Sequence, residues 1–236
     1  DNIGLGNNTL QKKTIGNDNI GMGNQALTAN TTGEENIGIG NLTLTANTTG
    51  HDNIGMGDRA LTTNTTGINN IAMGGATLFS NTTGANNIGI GIEALQNNTT
   101  GNNNVGIGDQ ALFLNTTGSN NIGIGEGAQV ANPAASNQIR MGNAAITLAQ
   151  IEVGWNITSD KKWKEQIRPL PYGLDFVSQL KPMDYIRKNN EAKTREIGFI
   201  AQDVEQVLKE LNYKDQGFLT KDDEGYISLR YNDLIP

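Results

Sequence analysis

Asn19-Ile20-Gly21-Met22-Gly23-Asn24-Gln25-Ala26-Leu27-Thr28-Ala29-Asn30-Thr31-Thr32-Gly33 holds what decides the fold of the first two thirds of this chain. Its opening pentad, Asn-Ile-Gly-x-Gly, recurs from Asn2, Asn19, Asn36, Asn53, Asn70, Asn87, Asn104 and Asn121, always 17 residues apart. Val105 replaces Ile in one copy and Ala72 replaces the first Gly in another. The closing tetrad, Asn-Thr-Thr-Gly, keeps the same period at Asn30, Asn47, Asn64, Asn81, Asn98 and Asn115. Between the two lies a short segment such as Ala26-Leu27, Ala60-Leu61, Ala94-Leu95 or Ala111-Leu112. So many matches in one strict register make this a repeat protein.

Gly, Asn and Thr are poor helix formers, and the apolar residues alternate, so the repeat predicts strands. Alternation puts Ile37 and Ile39 on one face and Gly38 on the other, where a glycine marks close approach by a neighbouring strand or chain. Asn-Thr-Thr-Gly is turn chemistry, since Asn and Gly tolerate positive φ. One repeat therefore reads as strand, bend, short Ala-Leu strand and turn. Eight such coils stacked about 4.8 Å apart predict a rod roughly 40 Å long. Apolar residues make up 36% of the chain, below the roughly 45–50% of an ordinary soluble domain. A lone copy would bury too little to offset its backbone entropy. The expectation is a homotrimer, with the Ile and Leu rows of three copies facing a shared axis.

Composition also excludes several kinds of function. There is no Cys, so disulfides and thiolate metal sites are ruled out, and the single His51 lies among loop residues. No metal or other cofactor is expected. Residues 1–158 carry four Lys and Arg against ten Asp and Glu; residues 159–236 carry thirteen against fourteen. Neither part has the basic excess that nucleic-acid binding needs. No run of 18 apolar residues occurs, which argues against membrane insertion. No aromatic-rich carboxylate cluster suggests a glycosidase in residues 1–158. Asn-Thr-Thr fits the N-glycosylation sequon, but turn chemistry accounts for it better. Asp1-Asn2-Ile3-Gly4 is no signal peptide, and the two ends read as those of a piece of a longer protein.

Three domains are expected: a repeat shaft over 1–126, a β junction over 127–158, and a different domain over 159–236. The repeat pattern decays after Gly125. Ala131 to Ser136 reads as a loop, and 138–142 and 146–153 as strands. From Ser159 onward, charges and aromatics rise while Asn and Gly fall. Tyr172 to Leu180 predicts a helix with Leu174, Val177 and Leu180 on one face. Met183 to Arg187 predicts a strand, and Ile197 to Ile200 a buried one. Ala201 to Leu211 predicts a helix turning Val204, Val207, Leu208 and Leu211 inward. Asp222-Asp223-Glu224-Gly225 predicts a hairpin turn between Phe218–Thr220 and Tyr226–Ser228.

Thr158-Ser159-Asp160-Lys161-Lys162-Trp163-Lys164-Glu165-Gln166-Ile167 resembles the start of the intramolecular chaperone domain of tail spikes and endosialidases, the S74 peptidase family. Leu180-Lys181-Pro182-Met183-Asp184-Tyr185 and Ile197-Gly198-Phe199-Ile200-Ala201-Gln202-Asp203-Val204 resemble two further signatures, in the family's order. Leu229 to Pro236 is similar to the approach to the family's last helix, although that helix is not in the sequence. Lys209 stands where the family often has Pro. Upstream, the 17-residue repeats resemble the β-roll heads of trimeric surface adhesins and the shafts of phage tail fibres, although adhesin head repeats are usually shorter.

The resemblance implies a mainly β fold: a trimeric parallel β-roll or β-helix shaft, then a small α+β chaperone domain. It also implies self-cleavage between Thr158 and Ser159, with Ser159 as nucleophile and Lys164 as base. A serine needs a base to take its proton, and a lysine serves only when neutral, a form that burial and cationic neighbours favour. Lys161, Lys162 and Arg168 are such neighbours in the sequence. Asp160 is a candidate for orienting Ser159 or capping the following turn; Gln202 and Asp203 are candidates for supporting polar contacts. A fibre of this kind belongs on a virion tail or another extracellular surface. The competing reading is an adhesin whose shaft binds a host receptor or glycan and whose chaperone stays on as an uncleaved trimerisation cap. A membrane-released transcription factor, which can carry a similar domain, lacks the basic segment and apolar span it would need.

Overall fold

A segment of three apolar-Gly-apolar residues is too short to bury anything alone, and the chain resolves this by stacking such segments. The structure, a computed structural model, describes residues 1–12, 15–130, 132–146, 161–165, 167, 173–188, 193–213, 219–221 and 225–229. The chain divides into two units, Asp1–Ala144 and Ala145–Pro236.

In the first unit the described residues form nine three-residue strands: β1 (Ile3–Leu5), β2 (Ile20–Met22), β3 (Ile37–Ile39), β4 (Ile54–Met56), β5 (Ile71–Met73), β6 (Ile88–Ile90), β7 (Val105–Ile107), β8 (Ile122–Ile124) and β9 (Ile139–Met141). They pair in parallel and in sequence order to make one sheet. Each residue sits beside its equivalent 17 positions away, as Ile37 beside Ile54 and Gly38 beside Gly55. This is a parallel β-solenoid with one turn per repeat. Bonds between turns continue around the corners, for example Leu61 N–H to the Thr77 carbonyl at 3.0 Å.

The interior differs from the sequence expectation. Leu27, Leu44, Leu61, Leu78, Leu95 and Leu112 are fully buried within the solenoid. The Leu row therefore faces the unit's own core and not an axis shared with other copies. The middle strand residue points inward and the two flanking apolar residues point outward. Glycine is placed there for the sake of the leucine beside it: a Cβ on Gly38 would lie 3.3 Å from Leu27 Cγ. The close neighbour is thus a side chain of the same molecule, and Ala72 is the one methyl the interior admits among these strands.

The Ala-Leu segment is a turn, not the short strand that was expected. Gln25, Leu27, Arg59, Leu61, Glu93 and Leu95, among others, have φ between 51° and 57°. Such a conformation costs an ordinary residue about 1–2 kcal/mol. Burial of a leucine side chain, worth about 1.5–3 kcal/mol, offsets it.

Two asparagine rows line the interior corners, and their side chains are fully buried. In one, each Asn of the pentad bonds to its equivalents in the adjacent turns. In the other, each Asn of the tetrad from Asn47 to Asn115 donates to the preceding row member and to a glycine carbonyl, as Asn64 Nδ2 does to Asn47 Oδ1 at 2.9 Å and to Gly67 O at 3.0 Å. The Asn-Thr-Thr-Gly segment turns the chain as expected, and it does so around a buried polar ladder.

The solenoid runs one turn beyond Gly125. Gln138-Ile139-Arg140-Met141 keeps the period, and β9 pairs with β8 in register. Pro133 and Ala135 supply the carbonyls that accept from Thr116 N–H and Asn121 Nδ2. Gln129 occupies the leucine slot, and the next residue, Val130, fills the core instead. Arg140, exposed, replaces the inner glycine at the point where the core ends.

The described residues of the second unit form a 3₁₀ turn (Lys161–Trp163), helix α1 (Gly173–Gln179), an antiparallel pair β10 (Met183–Tyr185) and β11 (Glu196–Gly198), helix α2 (Ala201–Glu210), and a second antiparallel pair β12 (Leu219–Lys221) and β13 (Ile227–Leu229). Its core is Phe176, Val204 and Leu208, with Leu180, Phe199, Val207, Leu211, Leu219 and Leu229 packed around them.

Candidate functional site

The chemistry expected of this chain lies in the second unit, which α2 organises. The 3.6-residue period of Val204, Val207, Leu208 and Leu211 puts all four toward the small core, as the sequence predicts. Asp203 in the first turn and Lys209 near the end suit the helix dipole, and Lys209 pairs with Glu205 at 3.2 Å. Val204→Ala is expected to destabilise this unit by about 2 kcal/mol, because a nearly enclosed side chain leaves a cavity. The check is a lower melting temperature of the helical far-UV signal.

Two expectations need correction. On α1 the buried residue is Phe176, with Leu180 beside it, while Leu174 is 84% exposed and Val177 54%. The helix presents its aromatic ring to the core, where Phe176 packs with Val204 and Leu208. Ile197 is 83% exposed and not in a buried strand, since the β10–β11 ribbon has only two strands and this residue faces away from the core. Cross-strand charge pairs stiffen that ribbon: Arg195 Nε sits 2.7 Å from Asp184 Oδ2, and Arg187 Nε 3.0 Å from Glu196 Oε2.

Of the residues singled out for catalysis, Thr158, Ser159 and Asp160 lie outside the described residues. Lys164 follows the 3₁₀ turn, its N–H bonded to the Lys161 carbonyl at 3.0 Å, and its side chain is exposed. Gln202 and Asp203 are exposed on the first turn of α2. Asp203 opens on a groove of about 480 Å³ between α1 and α2, whose wall includes Lys181, Gln206 and Glu210 and whose floor includes Val204 and Val207.

In the solenoid, His51 Nδ1 lies 2.7 Å from Asp52 Oδ2 and holds that carboxyl below its ordinary range. The hydrogen bond with Asp52 pushes Glu35 up. All three are exposed, and among the described residues no group of His, Cys, Asp or Glu is arranged to hold a metal ion. No described helix is long and apolar enough to cross a membrane.

Comparison with protein families matches residues 159–213 to the chaperone of endosialidase, Peptidase S74. The second unit carries a chaperone-of-endosialidase domain. The match starts at Ser159 and ends just past α2, so it takes in Ser159–Ile167, Leu180–Tyr185 and Ile197–Val204 and stops short of Leu229–Pro236. A β-solenoid of 17-residue turns followed by this chaperone domain fits a tail-fibre protein. Comparison with curated proteins and with solved structures gives no match.

The buried asparagine rows are what sequence reasoning missed. The available signal was a polar residue that never varies along a row, from Asn19 through Asn121, while the exposed positions beside it do vary.

Proposed function

We propose that the chain is a segment of a homotrimeric fibre, on a virion tail or another extracellular surface. Its chaperone domain registers three copies and then cuts itself off between Thr158 and Ser159. All nine turns, through Gly142, act as the shaft, the stretch from there to Thr158 as the junction left at its end, and 159–236 as the released domain. The observation that carries this reading is the family match beginning at Ser159, directly after the bond to be cut.

In this mechanism Lys164, in its neutral form, takes the Ser159 hydroxyl proton, and Oγ adds to the Thr158 carbonyl carbon through a five-membered ring. The C–N bond breaks and the Ser159 nitrogen leaves as an amine, having gained a proton. An ester then joins Thr158 to Ser159 Oγ. Water hydrolyses it, leaving a Thr158 carboxylate and restoring the Ser159 hydroxyl. Asp160 caps the turn after the nucleophile, and Gln202 and Asp203 supply polar contacts around it. Lys164 is exposed in a single copy. Assembly that buries it would turn on the base, so cleavage follows trimer formation.

The role of the chaperone follows from the repeat. Turns that are nearly identical let three chains pair one repeat out of step, and a domain that associates first removes that error. Cutting it off afterwards leaves a shaft that cannot unfold by the path it folded, which is kinetic stability.

The test is intact mass measurement of the purified chain beside Ser159→Ala and Lys164→Ala. The expected result is complete splitting of the natural sequence into residues 1–158 and 159–236, with both variants remaining whole. If the natural sequence also stays whole, the domain is a trimerisation cap and self-cleavage is wrong.

A further inference from the structure

The two end strands of the solenoid sheet, β1 and β9, belong to turns of different make. Around β1, Asn2, Ile3, Gly4 and Leu10 all keep the residues of the repeat. The ninth turn departs from it at three positions that bear on the edge a tenth turn would use. The first is Pro133. Thr99 N–H donates to the Thr116 carbonyl, and Thr116 N–H to the Pro133 carbonyl, each at 2.8 Å. Pro133 accepts that bond but has no N–H to pass on. The second is Gln138. In the asparagine row Asn104 Oδ1 accepts from Asn121 N–H, and Asn121 Oδ1 from Gln138 N–H, each at 3.0 Å. Gln138 is one carbon longer, which moves its own amide oxygen off the place where the next N–H would meet it.

Arg140 is the third, and it pairs with Gly123 in the row of inner residues. A Cβ on Gly123 would lie 2.6 Å from Leu112 Cγ, so the inner position is closed wherever a leucine packs against it. Against Arg140 the leucine is replaced by Gln129, whose amide is turned to the Gln110 carbonyl at 2.6 Å and the Leu114 N–H at 3.1 Å. The arginine side chain has room there. It is exposed, with Nε donating to the Gly142 carbonyl at 3.1 Å. With the eighth turn on one side, an inner side chain reaches water through the open end of the core, where a further turn would lie.

We infer that the ninth turn is a cap that keeps the β9 edge from receiving the β1 edge of a second copy of the chain. In a parallel stack held in register, the outer edges of the first and last strands are complementary. Uncapped copies would therefore add head to tail without closing. Ile139 and Met141 are 71% and 66% exposed, so burying this edge would favour such growth. The cap opposes it twice. Seating β1 on β9 would bury the Arg140 guanidinium at the end of an apolar core, where the incoming turn offers Gly4 and Leu10. It would also leave a carbonyl of the second copy without the donor that Pro133 lacks. The inference concerns the Asp1–Ala144 unit and does not depend on self-cleavage.

The test removes the cap with the double substitution Pro133→Thr and Arg140→Gly, which restores the repeat at two positions and adds no side chain to the core. Light scattering follows particle mass over about a hundredfold range of concentration, in the natural chain and in Ser159→Ala, so that the result does not hang on cleavage. The natural mass should stay constant, whatever its copy number. That of the double variant should rise at least threefold. Adding Gly4→Arg puts a charge on the opposite end, where a Cβ has its nearest neighbours at 3.7 Å, and should return the mass to the natural one. A double variant that stays at the natural mass in both backgrounds overturns the inference. It does so whether the Ile88 amide keeps its exchange protection, so that the edge needs no guard, or loses it, so that the turn only supports the core. Growth of the natural chain, or growth that persists with Gly4→Arg, overturns it as well, because association then uses another surface.

Discussion

Gly84→Ala is expected to destabilise the solenoid by about 4 kcal/mol, whereas Gly75→Ala should change it by less than about 0.5 kcal/mol. Both glycines belong to the first unit, and neither needs a positive φ. What differs is the space around them. A Cβ on Gly84 would lie 2.6 Å from the Gly101 carbonyl oxygen of the next turn and 3.0 Å from Asn98 Nδ2, and it would strike Asn81 Oδ1. None of these is the end of a flexible chain. The Gly101 carbonyl is held by Asn87 Nδ2 at 2.9 Å and Asn98 Nδ2 at 3.1 Å, so moving it breaks both asparagine rows at once. A Cβ on Gly75 meets nothing within 4 Å. Each turn touches only its neighbours, so damage at Gly84 divides the stack locally and need not melt it as one. Hydrogen exchange is therefore the suitable measurement. The amide of Ile88, bonded to the Asn104 carbonyl at 2.8 Å, should lose about a thousandfold protection, and that of Ile20 much less. Equal protection in both variants would mean that turn spacing is softer than the bonding implies.

The period, the strand identity and the Asn-Thr-Thr-Gly turns were legible in the sequence because each rests on local chemistry repeated without insertion. Of the wall's orientation, the outward isoleucines were expected, but the leucines were expected beside them and instead fill the core. Three-residue strands give alternation but not direction, and here the usual rule is inverted. Ile37 and Ile39 look outward while Gly38 looks in, because the interior is already taken by Leu27 and its equivalents. The turn at Leu27 was illegible for another reason: nothing about leucine announces a φ of 52°, which is imposed by closing a coil in 17 residues. In the second unit α2 was readable from its period, while α1 and Ile197 were misjudged because the small core leaves much of the apolar surface outside. The ninth turn was hidden by its substitutions, Gln138 for Asn, Arg140 for Gly and Gln129 for Leu. The catalytic reading depends on Ser159, which the family match reaches and the described residues do not.

Asn70→Ala should cost about 3–4 kcal/mol, and Asn70→Asp should cost more at neutral pH and less in acid. Asn70 Nδ2 donates to Asn53 Oδ1 at 3.1 Å and to the Gly84 carbonyl at 2.8 Å. Its Oδ1 accepts from Asn87 N–H at 3.0 Å and from Asn87 Nδ2 at 3.1 Å. The alanine variant leaves Gly84 O with a partner in Asn81 Nδ2, but takes the acceptor from the buried N–H of Asn87. One orphaned backbone donor costs about 1–3 kcal/mol, and the lost side-chain bonds and the cavity account for the rest. The aspartate variant keeps the acceptor for Asn87 but turns its second oxygen on Gly84 O and Asn53 Oδ1, where no donor remains. Burial and the facing oxygens raise that carboxyl above its unfolded value of about 3.9. The folded state then holds a proton that the unfolded state has released, so stability falls as pH rises from the unfolded pKa to the folded one. The protection factor of the Ile71 amide, bonded to the Asn87 carbonyl at 2.8 Å, compared with that of the unsubstituted chain at pH 4 and pH 7, should leave the alanine difference nearly constant and shrink the aspartate difference at pH 4. If both differences are under 1 kcal/mol, the ladder lines a solenoid whose turns are held by their backbone bonds alone.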